Sequence, residues 1–110
     1  MPRSLLALTG FAILLGGVSL QAQEQGFPLT IKNHRFEPAE FEVPANTNVR
    51  LLVKNEDATA EEFESSSLHR EKVVPAGKEI VIMIGPLKLG RYEFIGDFNR
   101  ATAHGAIVVK

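Results

Sequence analysis

Residues 55–78 of this chain read NEDATAEEFESSSLHREKVVPAGK and hold most of its chemically unusual side chains. Five acidic residues fall within positions 56–64, which we call the acidic segment, and the stretch closes in the turn signal Pro75-Ala76-Gly77. Phe63 is the apolar residue expected to fix the acidic segment to a core. We expect the chain before this stretch to build one wall of a β-fold and the chain after it to build the other.

The flanking sequence alternates between apolar and polar residues, as half-buried strands do. Val49 and Leu51 share one face of one run, and Ile80 and Ile82 share one face of another. Turn signals recur between such runs, and about seven short strands at this spacing predict an all-β, antiparallel Greek-key sandwich. The expected core takes apolar residues from all of these runs: Phe36, Phe41, Val49, Leu51, Val53, Phe63, Ile80, Ile82, Tyr92, Phe94, Ile107 and Val109. Residues 65–71 are the best helix candidate and are expected to form a loop or a single turn.

The first 22 residues have the pattern of a secretory signal peptide. Arg3 supplies the positive start, residues 5–20 are almost wholly apolar, and Ala22 is a small residue at the end of the run. This pattern predicts export, cleavage after Ala22 and one mature domain of residues 23–110. An uncleaved N-terminal anchor is the alternative, because Leu20 is larger than the residue that signal peptidases favour at that position.

The composition favours one small domain that does not bind nucleic acid. A chain of 110 residues has room for a single domain, and the absence of cysteine excludes a disulfide. The chain has 12 basic and 13 acidic residues and no basic stripe, which argues against a nucleic-acid surface. No nucleophile elbow, zinc-protease motif or phosphate-binding glycine loop is present, so we expect no enzyme activity.

Several short strings resemble cupredoxin-like domains in their order and spacing. These strings include Phe36-x-Pro38, Val43-Pro44-Ala45-x-Thr47-x-Val49 and Leu89-Gly90-x-Tyr92-x-Phe94. Glu62-Phe63-Glu64-Ser65 and Gly96-Asp97-Phe98 are in turn similar to the EfeO-type cupredoxin-like group, which includes small periplasmic proteins associated with ferric iron transport. The resemblance implies a cupredoxin-like fold, a periplasmic location and a role in iron or copper uptake, with an iron-permease component of the inner membrane as partner.

The chain departs from this resemblance at the residues that would bind copper. A blue-copper site needs a thiolate, two imidazoles and a weak axial thioether. The cupredoxin pattern places the thiolate where this chain has Gly96, and the first histidine where it has Glu61. Because the chain contains no cysteine, a type 1 copper site is excluded.

Carboxylates and imidazoles remain as candidate metal ligands. The candidates are Glu61, Glu62, Glu64, Asp97, His69 and His104, of which His69 is a reserve ligand. Carboxylate oxygens suit Fe(III), Ca(II) or Mn(II), and imidazole combined with carboxylate suits Cu(II), Zn(II) or iron. We therefore expect a Cu(II) or iron ion at one end of the sandwich, bound by Glu61 or Glu62 together with Asp97 and His104.

Strand alternation makes Glu61 a special case among these candidates. If Phe63 points inward, Glu61 points inward with it, while Glu62 and Glu64 point outward. A buried carboxylate needs a metal, an arginine or hydrogen bonds, and Arg70 or Arg100 could provide the pairing without a metal. An acidic segment of this kind is also often no more than a solvated face.

Three functional hypotheses follow from the sequence. The first is a metal-binding accessory protein of iron or copper uptake. The second is a metal-free interaction module that docks on a membrane permease or another periplasmic partner. The third and weakest is a small metal-dependent oxidase, which would need a redox metal with an open coordination position.

Overall fold

The computed structural model describes residues 26–110, so the predicted signal peptide and its cleavage site lie outside the described residues. Nine strands and one short 3₁₀ helix form this part of the chain. Their bounds are β1 Phe27–Lys32, β2 Arg35–Glu37, β3 Glu40–Val43, β4 Val49–Asn55, β5 Glu61–Ser65, β6 Arg70–Val74, β7 Glu79–Ile84, β8 Gly90–Gly96, the 3₁₀ helix Asp97–Asn99 and β9 His104–Val109. No helix within residues 26–110 is both long enough and apolar enough to cross a membrane.

The strands form two sheets packed face to face, which confirms the predicted all-β sandwich. One sheet has four strands in the order β2-β1-β4-β7, and the other has five in the order β3-β9-β8-β5-β6. The sheets are mixed rather than antiparallel, because β1 pairs with β4, and β3 with β9, in parallel. The sequence could not reveal this difference, since side chains alternate with period 2 in both kinds of pairing.

The expectation that each half of the chain builds one wall is wrong. The chain leaves the four-stranded sheet after β2, and β3 joins the five-stranded sheet beside β9. The chain returns to the first sheet for β4 and again for β7. Both halves of the chain therefore contribute to both sheets, as in a Greek-key arrangement.

Three phenylalanines join the two sheets at the centre of the core. Phe63 is fully buried, and its ring stacks on that of Phe94 with 5.0 Å between centroids. Phe36, from the other sheet, meets Phe94 edge-on at 4.9 Å. Such aromatic pairs stabilise a core beyond the burial of their area. Nine of the twelve predicted core residues are buried, and Phe41, Ile80 and Tyr92 pack against the core while partly exposed.

Asp57, in the loop between β4 and β5, stabilises the hairpin turn between β1 and β2. Its carboxylate accepts hydrogen bonds from the backbone N–H groups of Asn33 at 2.7 Å and of His34 at 3.0 Å. Both residues have positive φ, at 54° and 57°, and His34 is exposed, as expected for a turn residue. One carboxylate of the acidic segment is therefore used to hold a turn.

Asn55 anchors the start of the acidic segment inside the sandwich. Its buried side-chain amide donates to the carbonyl oxygens of Thr59 at 2.9 Å and Val74 at 3.0 Å. Its Oδ1 accepts a hydrogen bond from the backbone N–H of Asp57 at 2.9 Å. These three bonds fix the loop that leads from β4 into β5.

The connection between β5 and β6 is a tight turn rather than a helix, as expected. The Ser65 hydroxyl donates to the carbonyl oxygen of Glu93 at 2.6 Å and accepts from the backbone N–H of Leu68 at 3.2 Å. His69 follows at a positive φ of 55° and is exposed. Arg70 then reaches the four-stranded sheet, where its Nε donates to the carbonyl oxygen of Met83 at 2.9 Å.

Candidate metal site

Strand β5 divides the three glutamates of its sequence between two environments. Phe63 points into the core, so Glu61, two residues earlier, points inward as well and is only 1% exposed. Glu62 and Glu64 lie on the outer face of the five-stranded sheet and are partly exposed. The predicted alternation of this segment is therefore confirmed.

The buried Glu61 carboxylate is held by three hydrogen bonds. Its Oε1 accepts from the backbone N–H groups of Glu62 at 2.9 Å and Phe98 at 2.8 Å. Its Oε2 accepts from the side-chain amide of Asn99 at 2.6 Å. Of the partners expected for an inward Glu61, the structure supplies hydrogen bonds and not an arginine, since Arg70 and Arg100 contact other groups. No buried side-chain nitrogen or oxygen in the described part of the chain lacks a partner.

Glu61 also fills the space in front of Gly96. A Cβ atom at position 96 would lie 2.7 Å from Cδ of Glu61 and 2.6 Å from Cβ of Ala103, closer than real contacts allow. A cysteine at position 96 would therefore have to displace Glu61. The position that resembles the thiolate site of cupredoxins and the position that resembles their first histidine are thus occupied by one hydrogen-bonded carboxylate.

The carboxylates that do converge lie outside the sandwich. Glu62, Glu64 and Asp97 each present an oxygen atom, and these atoms lie within 4.8 Å of one another. Glu62 and Glu64 come from β5, and Asp97 begins the 3₁₀ helix that follows β8. We call these three residues the outer cluster. It forms because β8 runs beside β5, with Gly96 opposite Phe63.

Arg100 neutralises part of the outer cluster. Its Nε donates to Oδ1 of Asp97 at 2.6 Å, and its Nη2 contacts the same oxygen. Nη2 also lies 3.3 Å from Oε2 of Glu64. The arginine side chain is 64% exposed, so these ion pairs are screened by solvent and can be broken at small cost.

Glu62 has no such cation within its immediate surroundings. Its pKa is raised above the ordinary glutamate value, first because the carboxyl group is partly removed from water and next because of the negative charge of Glu71. A hydrogen bond with Asp97 and the charges of Asp97 and Glu64 raise it further. The outer cluster is therefore a place where negative charge is crowded and where a bound cation would relieve repulsion.

The structure does not bring the two predicted histidine ligands into this cluster. His104 lies in the same row as Glu64, but Ile95 of β8 stands between them. Two strand spacings, about 10 Å in all, separate the backbones of His104 and Glu64. The ligand atoms that converge are those of Glu62, Glu64 and Asp97, and His104 is not among them. His69 lies in the turn after β5 and lines a shallow groove with Glu64 and Glu71, outside the cluster.

Two residues of the site were not part of the expected metal site. Glu64 was among the candidate ligands and was expected to share the outer face with Glu62, but it was not chosen for the site. Asn99, the partner of Glu61, gave no signal, since its position depends on how the residues after β8 fold back over β5. The sequence predicted that Glu61 and Asp97 lie at the same end of the sandwich. It did not predict that Glu61 points into the core while Asp97 lies on the outer face of the sheet.

The fold and the site together define a two-sheet sandwich of the cupredoxin type whose interior ligand position holds a hydrogen-bonded carboxylate. The chain matches the cupredoxin-like domain over residues 5–109 and belongs to that family. It is also 52% identical over 81 residues to an uncharacterized protein of Rickettsia prowazekii (strain Madrid E). That match covers 74% of this chain and 65% of the relative, so the chain spans just under two thirds of the relative's length.

Solved structures of copper proteins share this fold. The metal-binding domain of the Cu(I)-exporting P-type ATPase CopA of Streptococcus pneumoniae, solved with Cu(I), superposes with a TM-score of 0.69 at 17% identity, over 78% of this chain and 85% of that one. Auracyanin A, a blue copper protein of Chloroflexus aurantiacus, gives 0.67 at 12% identity, over 78% and 98%. A purple cupredoxin of Nitrosopumilus maritimus gives 0.59 at 16% identity, over 76% and 98%. At these identities the likeness is one of fold alone.

Proposed function

We propose that this protein is a periplasmic metal-binding accessory protein of iron or copper uptake, of the EfeO type, which binds an iron ion or Cu(II) at the outer cluster. The observation that carries the proposal is the convergence of Glu62, Glu64 and Asp97, whose oxygen atoms lie within 4.8 Å of one another. Export through the N-terminal signal peptide and docking on an iron-permease component belong to the same proposal.

The geometry of the outer cluster suits a small cation. Oxygen ligands lie about 2.0–2.6 Å from a bound metal ion, so two ligands of one ion are separated by at most about 4–5 Å. The three carboxylates meet this limit, and because they are partly exposed, water can complete the coordination. An all-oxygen site favours Fe(III) or a hard divalent ion over Cu(I), which prefers sulfur.

Arg100 competes with a metal ion for the carboxylates of the outer cluster. Its guanidinium group neutralises Asp97 and part of Glu64. A metal ion has to displace these contacts, and exposed ion pairs of this kind contribute only about 0.2–1 kcal/mol each. Arg100 therefore reduces the repulsion among the three carboxylates and still leaves the outer cluster open to a metal ion.

The family supports metal binding in general but not the chemistry of its copper proteins. The CopA domain was solved with Cu(I), and auracyanin A is a blue copper protein. This chain has no cysteine, and Glu61 fills the equivalent interior position. We therefore place the metal on the surface of the five-stranded sheet, and we assign no catalytic role to it.

A metal-free interaction module is the second candidate function. The observation that favours it is that the acidic side chains are already provided for: Asp57 holds a turn, Glu61 accepts three hydrogen bonds, and Arg100 pairs with two members of the outer cluster. In this case the acidic face would dock on a partner directly.

A metal titration separates the two candidates. The processed protein, purified without a histidine tag, is titrated with Cu(II) and with Fe(III) supplied from a weak chelator, and compared with the Glu62→Gln/Glu64→Gln/Asp97→Asn variant. A variant with Glu37→Gln, Glu42→Gln and Glu79→Gln removes the same charge elsewhere and serves as the control. Loss of binding in the first variant only supports the proposal. If the parent binds neither ion, the interaction module is the better assignment.

Processing is tested separately by the intact mass of the exported protein. We expect a chain that begins at Gln23, because Ala22 ends the apolar run. A mass that retains residues 1–22 would instead favour the uncleaved anchor.

A further inference from the structure

A groove lies beside the outer cluster on the surface of the five-stranded sheet. It has a volume of about 590 Å³ and is lined by residues 64–67 and 93–95 together with Arg91 and Arg100, and we call it the arginine groove. Glu64 belongs to both the groove and the outer cluster, and Arg100 contacts the cluster from the groove. A ligand in the arginine groove would therefore lie next to a metal ion held by the outer cluster.

The two guanidinium groups lie toward opposite ends of the groove. Arg91 and Ile95 are four residues apart on β8, about 13 Å along the strand. Arg100 lies at the Ile95 end, because it pairs with Glu64, which stands opposite Ile95. The Arg91 and Arg100 side chains are 54% and 64% exposed, so their ion pairs can be exchanged for new ones at small cost. Guanidinium groups at this spacing suit a ligand with more than one carboxylate, since each can donate two parallel hydrogen bonds to a carboxylate.

The wall formed by the serine turn is already ordered. The Ser65 hydroxyl donates to the carbonyl oxygen of Glu93 at 2.6 Å and accepts from the backbone N–H of Leu68, whose side chain is buried. These bonds fix the turn against β8, while Ser66 and Ser67 remain exposed and line the groove. Their hydroxyl groups offer an oxygen-rich ligand hydrogen bonds from a wall that does not have to be ordered on binding.

The charge of the arginine groove depends on the state of the outer cluster. Arg100 is paired with Glu64 and Asp97, and Nε of Arg91 lies 3.8 Å from Glu93, so the charges along the groove are balanced. A metal ion that takes Glu64 and Asp97 as ligands removes both partners of Arg100. The charge of Arg100 and that of the ion then attract an anion into the groove.

We propose that the arginine groove binds a small di- or tricarboxylate together with the metal, so that the protein takes its metal as a carboxylate chelate. This inference rests on metal binding at the outer cluster. Three protein oxygens leave coordination positions of a hard ion open, and one carboxylate of the ligand fills them. Arg91 and the freed Arg100 bind its other oxygens. The metal and the carboxylate should each raise the affinity for the other by the same factor.

Retention of radiolabelled citrate by the processed protein tests this proposal. Equilibrium dialysis is run with citrate alone, with Cu(II) alone, and with citrate plus one equivalent of Cu(II) or Fe(III). We expect citrate to bind at least about fivefold more tightly with the metal than without it, as for a coupled pair of sites. If citrate is retained equally well without a metal, the coupling and the proposal are wrong.

Three single-charge variants locate the citrate. Arg91→Gln should weaken citrate retention by about tenfold, the effect of losing a hydrogen bond to a charged group, and should leave binding of Cu(II) alone unchanged. Arg100→Gln should also weaken citrate retention, although it frees the metal ligands. Arg50→Gln removes the same charge from an exposed position on β4 of the other sheet and should behave like the parent. Equal loss of citrate in Arg91→Gln and Arg50→Gln, or no loss in Arg91→Gln, overturns the proposal.

The metal-only measurement separates this inference from the proposed function. If Cu(II) binds alone but citrate is not retained with it, or if citrate strips Cu(II) from the protein, the groove proposal fails by itself. If neither ion binds with or without citrate, the metal site fails and the groove proposal fails with it.

Discussion

Glu61 and Glu62 are chemically identical neighbours that do different work. Glu61 is buried, and both of its carboxylate oxygens are held by N–H donors of β5 and of the 3₁₀ helix after β8. Glu62 is partly exposed, has a raised pKa and stands in a group of carboxylates with too few cations. The first residue stabilises the fold, and the second is free to bind.

The difference between Glu61 and Glu62 is set by the alternation of side chains along β5. Successive side chains of β5 alternate between the core and solvent, and Phe63 fixes which side is which. Where cupredoxins hold a metal inside the sandwich, this chain holds a carboxylate with its own hydrogen bonds. In the function that we propose, the interior ligand position of the family fold holds a structural carboxylate, and metal binding moves to the other side of the same strand.

The largest expected effect is on the residue that sets this alternation. Replacing Phe63→Ala empties a fully buried aromatic site between Phe36 and Phe94. We expect the free energy of unfolding to fall by about 3–5 kcal/mol, measured by chemical denaturation.

Phe98→Ala is the matched control for this substitution. Its ring is 53% exposed, so we expect a change within about 0.5 kcal/mol. If Phe63→Ala changes stability by less than about 1 kcal/mol, Phe63 is not in the core, and the inward position of Glu61 is wrong with it.

The next effect concerns the buried carboxylate itself. Glu61→Gln keeps the volume but replaces one acceptor oxygen with an NH₂ group that faces a donor, either the Phe98 N–H or the Asn99 amide. We expect a loss of about 1–3 kcal/mol in the free energy of unfolding. Glu37→Gln, at an exposed position, should leave stability unchanged. Equal stability of the two variants would mean that the hydrogen-bond network around Glu61 is not formed.

A smaller effect is expected when the competitor of the metal is removed. Arg100→Gln frees Asp97 and Glu64 from their ion pairs, so a cation no longer has to displace a guanidinium group. We expect the affinity for Cu(II) or Fe(III) to rise by about two- to fivefold, in line with exposed ion pairs of about 0.2–1 kcal/mol. Arg50→Gln, on the opposite face, is the control. A fall in affinity would show that Arg100 helps to build the metal site.

The smallest effect is the pH dependence that comes from Glu62. Because the pKa of Glu62 is raised in the folded protein, folding takes up a proton at pH values between the unfolded and folded pKa. The penalty on the folded state is therefore present above the folded pKa and is relieved as pH falls through it. We expect metal-free Glu62→Gln to be more stable than the parent at neutral pH, with the difference vanishing in acid. Thermal unfolding across pH tests this, and a parent that is more stable at neutral pH would contradict it.

The sequence predicted the sandwich well because alternation and turn signals are local properties. Val49, Phe63 and Ile82 were placed in the core by alternation alone, and the turn at Ser65 was recognised from its serines. The parallel pairing of β3 with β9 was missed, because it depends on which sheet the chain enters after Pro38.

The site was predicted less completely than the fold, for a similar reason. Glu61 was expected to point inward, but its partner Asn99 comes from the 3₁₀ helix after β8, whose position over β5 no local pattern describes. His104 was placed near the metal because its loop reaches the same end of the sandwich. Only the strand register shows that Ile95 of β8 stands between His104 and Glu64.

The most direct test is a titration of Cu(II) and chelator-supplied Fe(III) into Glu61→Gln and Glu62→Gln, side by side with the parent. These two substitutions are adjacent, remove the same charge and differ only in the side of β5 on which they lie. We expect Glu62→Gln to weaken binding by at least about tenfold, since even the loss of an outer-shell partner typically costs 10- to 100-fold. Glu61→Gln should bind like the parent at temperatures where it is folded. Weakened binding in Glu61→Gln together with unchanged binding in Glu62→Gln would place the metal inside the sandwich and contradict the surface site.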